Sequence, residues 1–109
     1  MKYDLATKHC QSCEGHIAPL NSEEVQHMQS KLGGGWTVAG DHLERKYEFP
    51  DFREALDFTN RVGEVAEAEN HHPDIFLTYG EVRLQLSTHS AGGLTENDFI
   101  LAAKISELD

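Results

Sequence analysis

The sequence predicts an α+β protein of a single domain with the element order α-β-β-α-β-β-α, in which a four-stranded antiparallel sheet carries helices on one face. Stretches with apolar residues every three or four positions alternate along the chain with pairs of short stretches of strand-like pattern. At 109 residues, the chain is long enough for one domain with a core and too short for two. Residues 1–20 show no such period, so we expect an N-terminal arm there and the domain at 21–109.

The first predicted helix and hairpin occupy the first half of this domain. Asn21 or Ser22 can cap the helix, and the two glutamates that follow favour the positive end of its dipole. Its apolar face repeats at helical spacing through Val25, Met28 and Leu32. A run of glycines ends the helix, and strands are predicted over 36–38 and 43–49 with a Gly-Asp turn between them.

The longest helix is predicted from Asp51 to Glu69. Its apolar residues recur at steps of three and four positions throughout this range. Pro50 is suited to the start of a helix, whereas Pro73 prevents the helix from continuing. The helix is therefore expected to lead directly into the polar segment 70–74.

A second hairpin and a final helix complete the predicted domain. Its strands cover 75–79 and 82–88, and the latter alternates strictly between apolar and polar residues, so one of its faces is expected to be buried. The spacing Thr95-x-x-Asp98 resembles a capping box with Asp in place of Glu. The last helix is therefore expected to begin there.

Charge and hydropathy exclude several classes of partner. Nineteen acidic residues against nine basic ones give a formal net charge of −10, which repels phosphate backbones and anionic lipid headgroups. We therefore expect no direct binding of nucleic acid and no association with membranes. No apolar run approaches the roughly 20 residues that span a bilayer, and the first residues lack the apolar core of a secretory signal. A cytoplasmic location is the expectation.

The two cysteines lie close together in the N-terminal arm. Cys10 and Cys13, flanked by His9 and His16, have a spacing that occurs in zinc sites and in redox pairs. Structural zinc sites usually take their ligands from two separated loops, and redox pairs lie between a strand and a helix start. Since all four groups here fall in one short polar stretch, we favour a reduced segment without a metal.

Three histidines form the densest chemical signal in the sequence. His71 and His72 follow the carboxylate-rich end of the long helix, and Pro73 restricts His72 to extended backbone, so the two rings are expected to project differently. His89 falls by strand parity on the polar side of the last strand. Imidazoles titrate near neutral pH and can serve as acid and base. The alternative is that the adjacent histidines only favour a helix C-terminus, where positive charge is stabilising.

A metal site is the third interpretation of the same residues. Three imidazoles could ligate a metal ion if Glu67 oriented one of them. Adjacent residues on an extended backbone point apart, however, and are less suited to joint ligation than two residues four positions apart on a helix. We therefore expect no metal, although the pattern alone does not decide between acid-base and metal chemistry.

The order of these motifs resembles the pterin-4a-carbinolamine dehydratase family. The distinctive stretches are Glu67-x-x-x-His71-His72-Pro73 and Leu86-Ser87-Thr88-His89-x-x-x-Gly93-Leu94-Thr95-x-x-Asp98. Upstream, further matching positions are Gly35-Trp36, Tyr47-Glu48-Phe49, Phe52 and Arg61-Val62. The resemblance covers roughly residues 20–109 and rests on several elements in one order, which makes it more specific than a single motif.

This resemblance implies a fold, an activity and a site. The implied fold has the element order predicted above, and the implied reaction is dehydration of 4a-hydroxytetrahydropterin to quinonoid dihydropterin, without metal or cofactor, during pterin recycling for aromatic amino acid hydroxylases. Carried over from the family, the catalytic residues are His71, His72 and His89, and the supporting or substrate-binding positions are Glu67, Pro73, Trp36 and Asp98. A homodimer or homotetramer is also implied.

Two other functions remain open at this point. Animal members of the family bind and stabilise the dimer of a homeodomain transcription factor, so a binding module is the main alternative to the enzyme. A metal-dependent hydrolase is a weaker one. Three of the supporting residues also have simpler interpretations. Trp36 can be a core residue. Glu67 can be an exposed helix residue, and Asp98 can be a helix N-terminal carboxylate.

Overall fold

The computed structural model describes residues 5–10, 18–32 and 34–108 and confirms the predicted element order. The helices are α1 (Ser22–Leu32), α2 (Phe52–Glu69) and α3 (Glu96–Ser106). The strands are β1 (Thr37–Ala39), β2 (His42–Glu48), β3 (Asp74–Thr78) and β4 (Glu81–Leu86). Single 3-10 turns cover Leu5–Thr7 and His89–Ala91. None of the helices in the described part combines the length and the apolar character needed to cross a bilayer.

The four strands form one antiparallel sheet in the order β1-β2-β4-β3. The two hairpins lie side by side because β2 pairs with β4, with Leu43 opposite Leu86 and Tyr47 opposite Val82. Side chains alternate between the faces of a strand, so these residues share the face that the helices cover. The other face carries mainly charged and polar residues, as predicted.

The core lies between the sheet and the helices. Val82, Leu84 and Leu86 of β4 are completely buried, because β4 is a central strand of the sheet. Helix α3 is buried over most of its length, and its apolar residues contact both the sheet and the other helices. The predicted apolar face of α1 also packs here, with Leu32 buried and Val25 and Met28 half-buried.

Local hydrogen bonds fix where the helices begin. Asn21, one of the two predicted caps, accepts from the backbone of Glu24 at 2.8 Å, and the Glu24 carboxylate accepts from the Asn21 backbone at 2.9 Å. This reciprocal pair is a capping box. Helix α2 begins after Asp51, whose side chain accepts from the Glu54 backbone at 2.9 Å.

A left-handed residue ends α2 and sets the direction of the chain that follows. Asn70 adopts φ 52° and ψ 40°, a conformation that Asn tolerates better than most residues. The backbone N–H of His71 donates to the Ala66 carbonyl at 3.2 Å, and that of Asn70 donates to the Glu67 carbonyl at 3.3 Å. These two bonds make a Schellman motif, so the chain leaves the helix sharply and His71 turns away from its axis.

The last strand is shorter than its alternating pattern predicts. β4 ends at Leu86 rather than at residue 88, because Thr88 pairs instead with Gly93 in an isolated bridge. His89 then opens a 3-10 turn, so strand parity does not extend to it. The remaining strand and helix boundaries agree with the predictions to within one or two residues.

Candidate active site

The β3-β4 hairpin brings the segments that carry the three histidines to one end of the sheet. His72 and Pro73 lead into β3, and residues 87–89 follow β4. Asp74 lies opposite Gln85 in the ladder. One further step in the same antiparallel register places Pro73 level with Leu86, and the next brings His72 level with residue 87. The strand pairing therefore brings the three segments to the same end of the sheet.

His71 forms the central contact of the site with Asp98 of α3. Its Nε2 lies 2.7 Å from Asp98 Oδ1, although the two residues are 27 positions apart. The His71 side chain is 10% exposed and the Asp98 side chain is not exposed at all. The sequence predicted both as site residues, but the spacing between them gave no sign that they form a pair.

The other carboxylate oxygen of Asp98 is held by two donors. Thr88 Oγ1 donates to Asp98 Oδ2 at 2.8 Å, and the Thr95 backbone N–H donates to the same oxygen at 2.9 Å. The second bond is the carboxylate half of the predicted capping box. Asp98 also lies in the first turn of α3, where the helix dipole favours a negative charge.

These contacts determine which nitrogen of His71 carries a proton. An ionised carboxylate only accepts hydrogen bonds, so Asp98 accepts from Thr88, from Thr95 and from Nε2–H of His71. In its neutral form, His71 then has an unprotonated Nδ1. The buried network therefore fixes one tautomer and leaves Nδ1 as the atom that can exchange a proton with a ligand.

His72 forms a second and quite different pair with Glu67. Its Nε2 lies 2.5 Å from Glu67 Oε2, but the two side chains are 53% and 78% exposed. Glu67 belongs to the last turn of α2, and the sharp exit at Asn70 turns His72 back towards it. Each of the two carboxylates predicted to support the site therefore contacts a different one of the adjacent histidines.

His89 lies at the same end of the sheet, in the loop that closes the network. It follows Thr88 directly, and its backbone carbonyl accepts from Gly92 at 3.1 Å. The loop is held by the Thr88–Gly93 bridge, and the His89 side chain is exposed. His89 is thus connected to His71 through Thr88 and Asp98, rather than by a direct hydrogen bond among the described residues.

Trp36 lies away from the histidines in this chain. Its ring is 4% exposed, and its Nε1 donates to Ser106 Oγ at 2.9 Å. Ser106 lies eight positions after Asp98, which is about 12 Å along α3. This placement agrees with the simpler interpretation of Trp36 as a core residue. Its supporting role at the site stays a prediction.

Thr88 is a site residue that the sequence analysis missed. The residue is 2% exposed. Its hydroxyl contacts Asp98 and lies 2.9 Å from Thr95 Oγ1. Strand parity placed it with Leu84 and Leu86 on the buried face. A hydroxyl at a core position needs a hydrogen-bond partner, so that parity was a usable signal.

The described residues contain no cluster suited to a metal ion. Within 5–10, 18–32 and 34–108, no group of three or more His, Cys, Asp or Glu side chains is arranged so that it could hold a metal ion. Cys13 and His16 of the cysteine motif lie outside these ranges. Cys10 lies inside them, and its contacts belong to the docking of the arm described below.

The comparisons with known proteins identify the family. The family model described as pterin 4 alpha carbinolamine dehydratase matches residues 18–108. The chain belongs to this family. A relative from Rubrobacter xylanophilus is 48% identical over 96% of this chain and 98% of its own length, and one from Alkaliphilus metalliredigens is 45% identical over 95% of both. Both carry the provisional name of pterin-4-alpha-carbinolamine dehydratase.

Two solved structures share the fold. A Brucella melitensis protein titled transcriptional coactivator/pterin dehydratase superimposes with a TM-score of 0.76 at 34% identity, covering 83% of this chain and 97% of its own. A pterin dehydratase-like protein titled as a RuBisCO assembly factor in the alpha-carboxysome superimposes with a TM-score of 0.59 at 20% identity. The match covers 71% of this chain and 92% of that protein's chain. The second likeness concerns the fold alone. The first confirms the predicted fold class.

Proposed function

We propose that this member of the family is a 4a-hydroxytetrahydropterin dehydratase that works by histidine acid-base catalysis. The observation that carries the proposal is the His71–Asp98 pair, in which a completely buried carboxylate fixes the tautomer of a histidine at the edge of the site. The names of the relatives and of the Brucella structure support the same reaction. The substrate would be a 4a-carbinolamine, as left by aromatic amino acid hydroxylases.

The reaction needs one proton acceptor and one proton donor. The N5–H bond of the tetrahydropterin breaks, a double bond forms between N5 and C4a, and the C4a–O bond breaks. The hydroxyl leaves as water once it has received a proton. Groups that titrate near neutral pH can fill both roles without a net change in the protein.

His71 is suited to the acceptor role. Its Nε2–H is committed to Asp98, so Nδ1 is the basic atom of the neutral ring. When Nδ1 takes the N5 proton, the resulting imidazolium faces a carboxylate that is already in place, and no reorganisation is needed. Asp98 contacts only His71 among these groups, which makes it a positioning residue.

His72 and His89 are suited to the donor role because their rings are exposed to solvent. Either can recover a proton from water between turnovers, and Glu67 orients His72 through its Nε2. Pro73 restricts the backbone of His72 and so limits the directions its ring can take. We assign the donor role to His72, with His89 positioning the pterin ring.

The decisive experiment is a dehydration assay with chemically generated 4a-hydroxytetrahydropterin, with and without a chelator. We expect catalysis that the chelator does not change, with His71→Ala losing about 100-fold or more in kcat and His72→Ala losing less. His27→Ala is a matched control, since His27 is exposed on α1. Wild-type protein that does not accelerate dehydration would overturn the proposal, and inhibition by the chelator would favour metal chemistry.

A homodimer or homotetramer is part of this proposal, as is a place in pterin recycling. β3 is an outer strand of the sheet, so one of its backbone edges has no neighbouring strand within the described residues. Association of copies would cover such an edge. Light scattering of the purified protein gives the mass directly, and a monomer at micromolar concentration would contradict this part.

A further inference from the structure

Residues 5–10, which we call the docked segment, pack against α3 and form part of the core. Leu5 is 2% exposed and Ala6 is 8% exposed. The Ala6 carbonyl accepts from Lys104 Nζ at 2.8 Å, and Lys8 forms an ion pair with Glu96 at 2.8 Å. The segment therefore contacts α3 near its first turn and also near its end.

Glu69 ties the docked segment to α2. Its side chain is 6% exposed and accepts from the Cys10 backbone N–H at 2.7 Å. Its other oxygen lies 2.9 Å from His9 Nδ1 and 3.7 Å from Lys104 Nζ. Burial opposes ionisation of Glu69, but these donors and the lysine charge outweigh it and lower its pKa.

The position of Glu69 explains why it needs these partners. It is the last residue of α2, where the helix dipole disfavours a negative charge. Without the donors from the docked segment, a buried carboxylate at this end of a helix would be strongly unfavourable. The end of α2 and the docked segment are therefore coupled through the hydrogen bonds of Glu69.

Cys10 contributes to the docking through its thiol. Its Sγ lies 3.5 Å from the Asn97 carbonyl. Burial, together with the nearby Glu69 carboxylate, raises the pKa of the Cys10 thiol to about 12. The thiol therefore stays protonated near neutral pH and can donate to that carbonyl.

The docked segment touches the helix ends that carry the His71–Asp98 pair. Glu69 lies two positions before His71, and Asn97 lies one position before Asp98. Lys8 and Cys10 contact the first turn of α3, and Cys10 also contacts the end of α2. One short segment thus bridges the two elements whose relative position sets the 2.7 Å contact of the site.

We infer that Glu69 is a positioning residue of the active site, and that docking of residues 5–10 onto Glu69 holds His71 in register with Asp98. The catalytic consequence rests on the proposed dehydratase function, whereas the effect on the His71–Asp98 hydrogen bond does not. A small misplacement of a catalytic base reduces the rate of the chemical step more than it reduces binding. Loss of Glu69 should therefore lower kcat and leave KM nearly unchanged.

The test compares Glu69→Gln with Leu5→Ala in the full chain. The first variant removes the acceptor charge, and the second weakens docking from a distant point of the same segment. In both we expect faster hydrogen exchange of the Cys10 amide, a shifted or broadened Nε2–H proton resonance of His71, and a kcat about tenfold lower with KM within about twofold. Because Leu5→Ala acts without touching Glu69, agreement between the two variants assigns the effect to docking.

Two controls separate positioning from general stability. Glu48→Gln removes an exposed carboxylate on the other face of the sheet, and Val82→Ala weakens the core in the middle of β4. We expect neither to change the His71 resonance or kcat at a temperature where both are folded. The inference is overturned if Glu69→Gln and Leu5→Ala keep the wild-type His71 resonance, or if Val82→Ala shifts it equally. Since this resonance needs no turnover, it distinguishes failure of the inference from failure of the proposed function.

Discussion

The adjacent residues His71 and His72 each pair with a carboxylate, but the two pairs lie in opposite environments. The His71–Asp98 pair is almost entirely excluded from solvent, and Asp98 has two further donors. The His72–Glu67 pair is more than half exposed on both sides and joins residues only five positions apart. The left-handed residue Asn70 redirects the chain just before both histidines, and their rings then contact different carboxylates.

The difference shows how one dipeptide can supply two kinds of group. A buried pair whose carboxylate accepts further hydrogen bonds holds its geometry, because breaking any of these contacts leaves an unpaired polar group away from water. An exposed pair can exchange its partner for water at little cost. His71 is therefore suited to a fixed role and His72 to one that requires proton exchange with solvent.

The largest effect is expected from Asp98→Asn. An amide in place of the carboxylate can turn its NH2 group towards Thr88 and Thr95, where the Thr95 backbone N–H is a fixed donor. It can instead turn its NH2 group towards Nε2 of His71, which then accepts only in the other tautomer, with the proton on Nδ1. We expect a loss of roughly 2–4 kcal/mol in the free energy of unfolding and a decrease in kcat of about 100-fold or more. Urea denaturation and the dehydration assay measure the two quantities.

Asp57→Asn is the matched control for this variant, since Asp57 is exposed on α2. It should change neither the stability nor kcat measurably. If Asp98→Asn retained the wild-type rate, the buried pair would have no part in catalysis, and the distinction between the two histidines would lose its functional meaning.

A smaller effect is expected from Thr88→Val, which removes one donor to Asp98 but keeps the shape of the side chain. The Thr95 hydroxyl then also loses its contact with Thr88. We expect a loss of about 1–3 kcal/mol in the free energy of unfolding. The kcat should fall by less than in Asp98→Asn, because the His71 contact to the other oxygen remains.

Thr37→Val on the exposed side of β1 provides the comparison for a hydroxyl without a buried partner. Equal stability losses in the two threonine variants would contradict the importance of burial. The same urea titrations supply both values.

The pH dependence of the unfolding free energy tests the surroundings of a third carboxylate, Glu69. Because its pKa in the folded protein lies below the ordinary value of 4.5, its ionised form stabilises the fold above that pH, and the contribution is lost as pH falls through the folded pKa. The difference in unfolding free energy between wild type and Glu69→Gln should be constant near neutral pH and shrink below about pH 4.5. A difference that grows on acidification would reverse the sign of this argument.

The smallest effect is expected from Glu67→Gln. Its side chain is 78% exposed, and exposed ion pairs contribute little. The free energy of unfolding should change by no more than about 0.5 kcal/mol, and kcat by a few-fold through altered orientation of His72. A loss as large as that of Asp98→Asn would show that exposure does not distinguish the two pairs.

Most of the fold was predictable because its signals are local. Alternation along β4, the helical spacing of α2 and α3, and the cap at Asp51 all act within a few residues. The 3-10 turn at His89 was missed, because the bridge between Thr88 and Gly93 that ends the strand pattern depends on the loop between them.

The site was predictable as a set of residues but not as a network. Family resemblance named His71 and Asp98, and only the packing of α3 on the end of α2 makes them partners. Glu69 was named only as the end of a predicted helix, since nothing near it in the sequence shows that residues 9 and 10 dock there. Contacts between distant segments leave no periodic signal.

The location of Asp98 on α3, after every strand of the sheet, has a consequence during synthesis. A ribosome exposes both adjacent histidines well before it has produced the helix that carries their buried carboxylate. A nascent or truncated chain can therefore form its hairpins and yet hold His71 in no fixed tautomer. Under the proposed mechanism, turnover therefore requires that translation has reached the last helix and that this helix has packed.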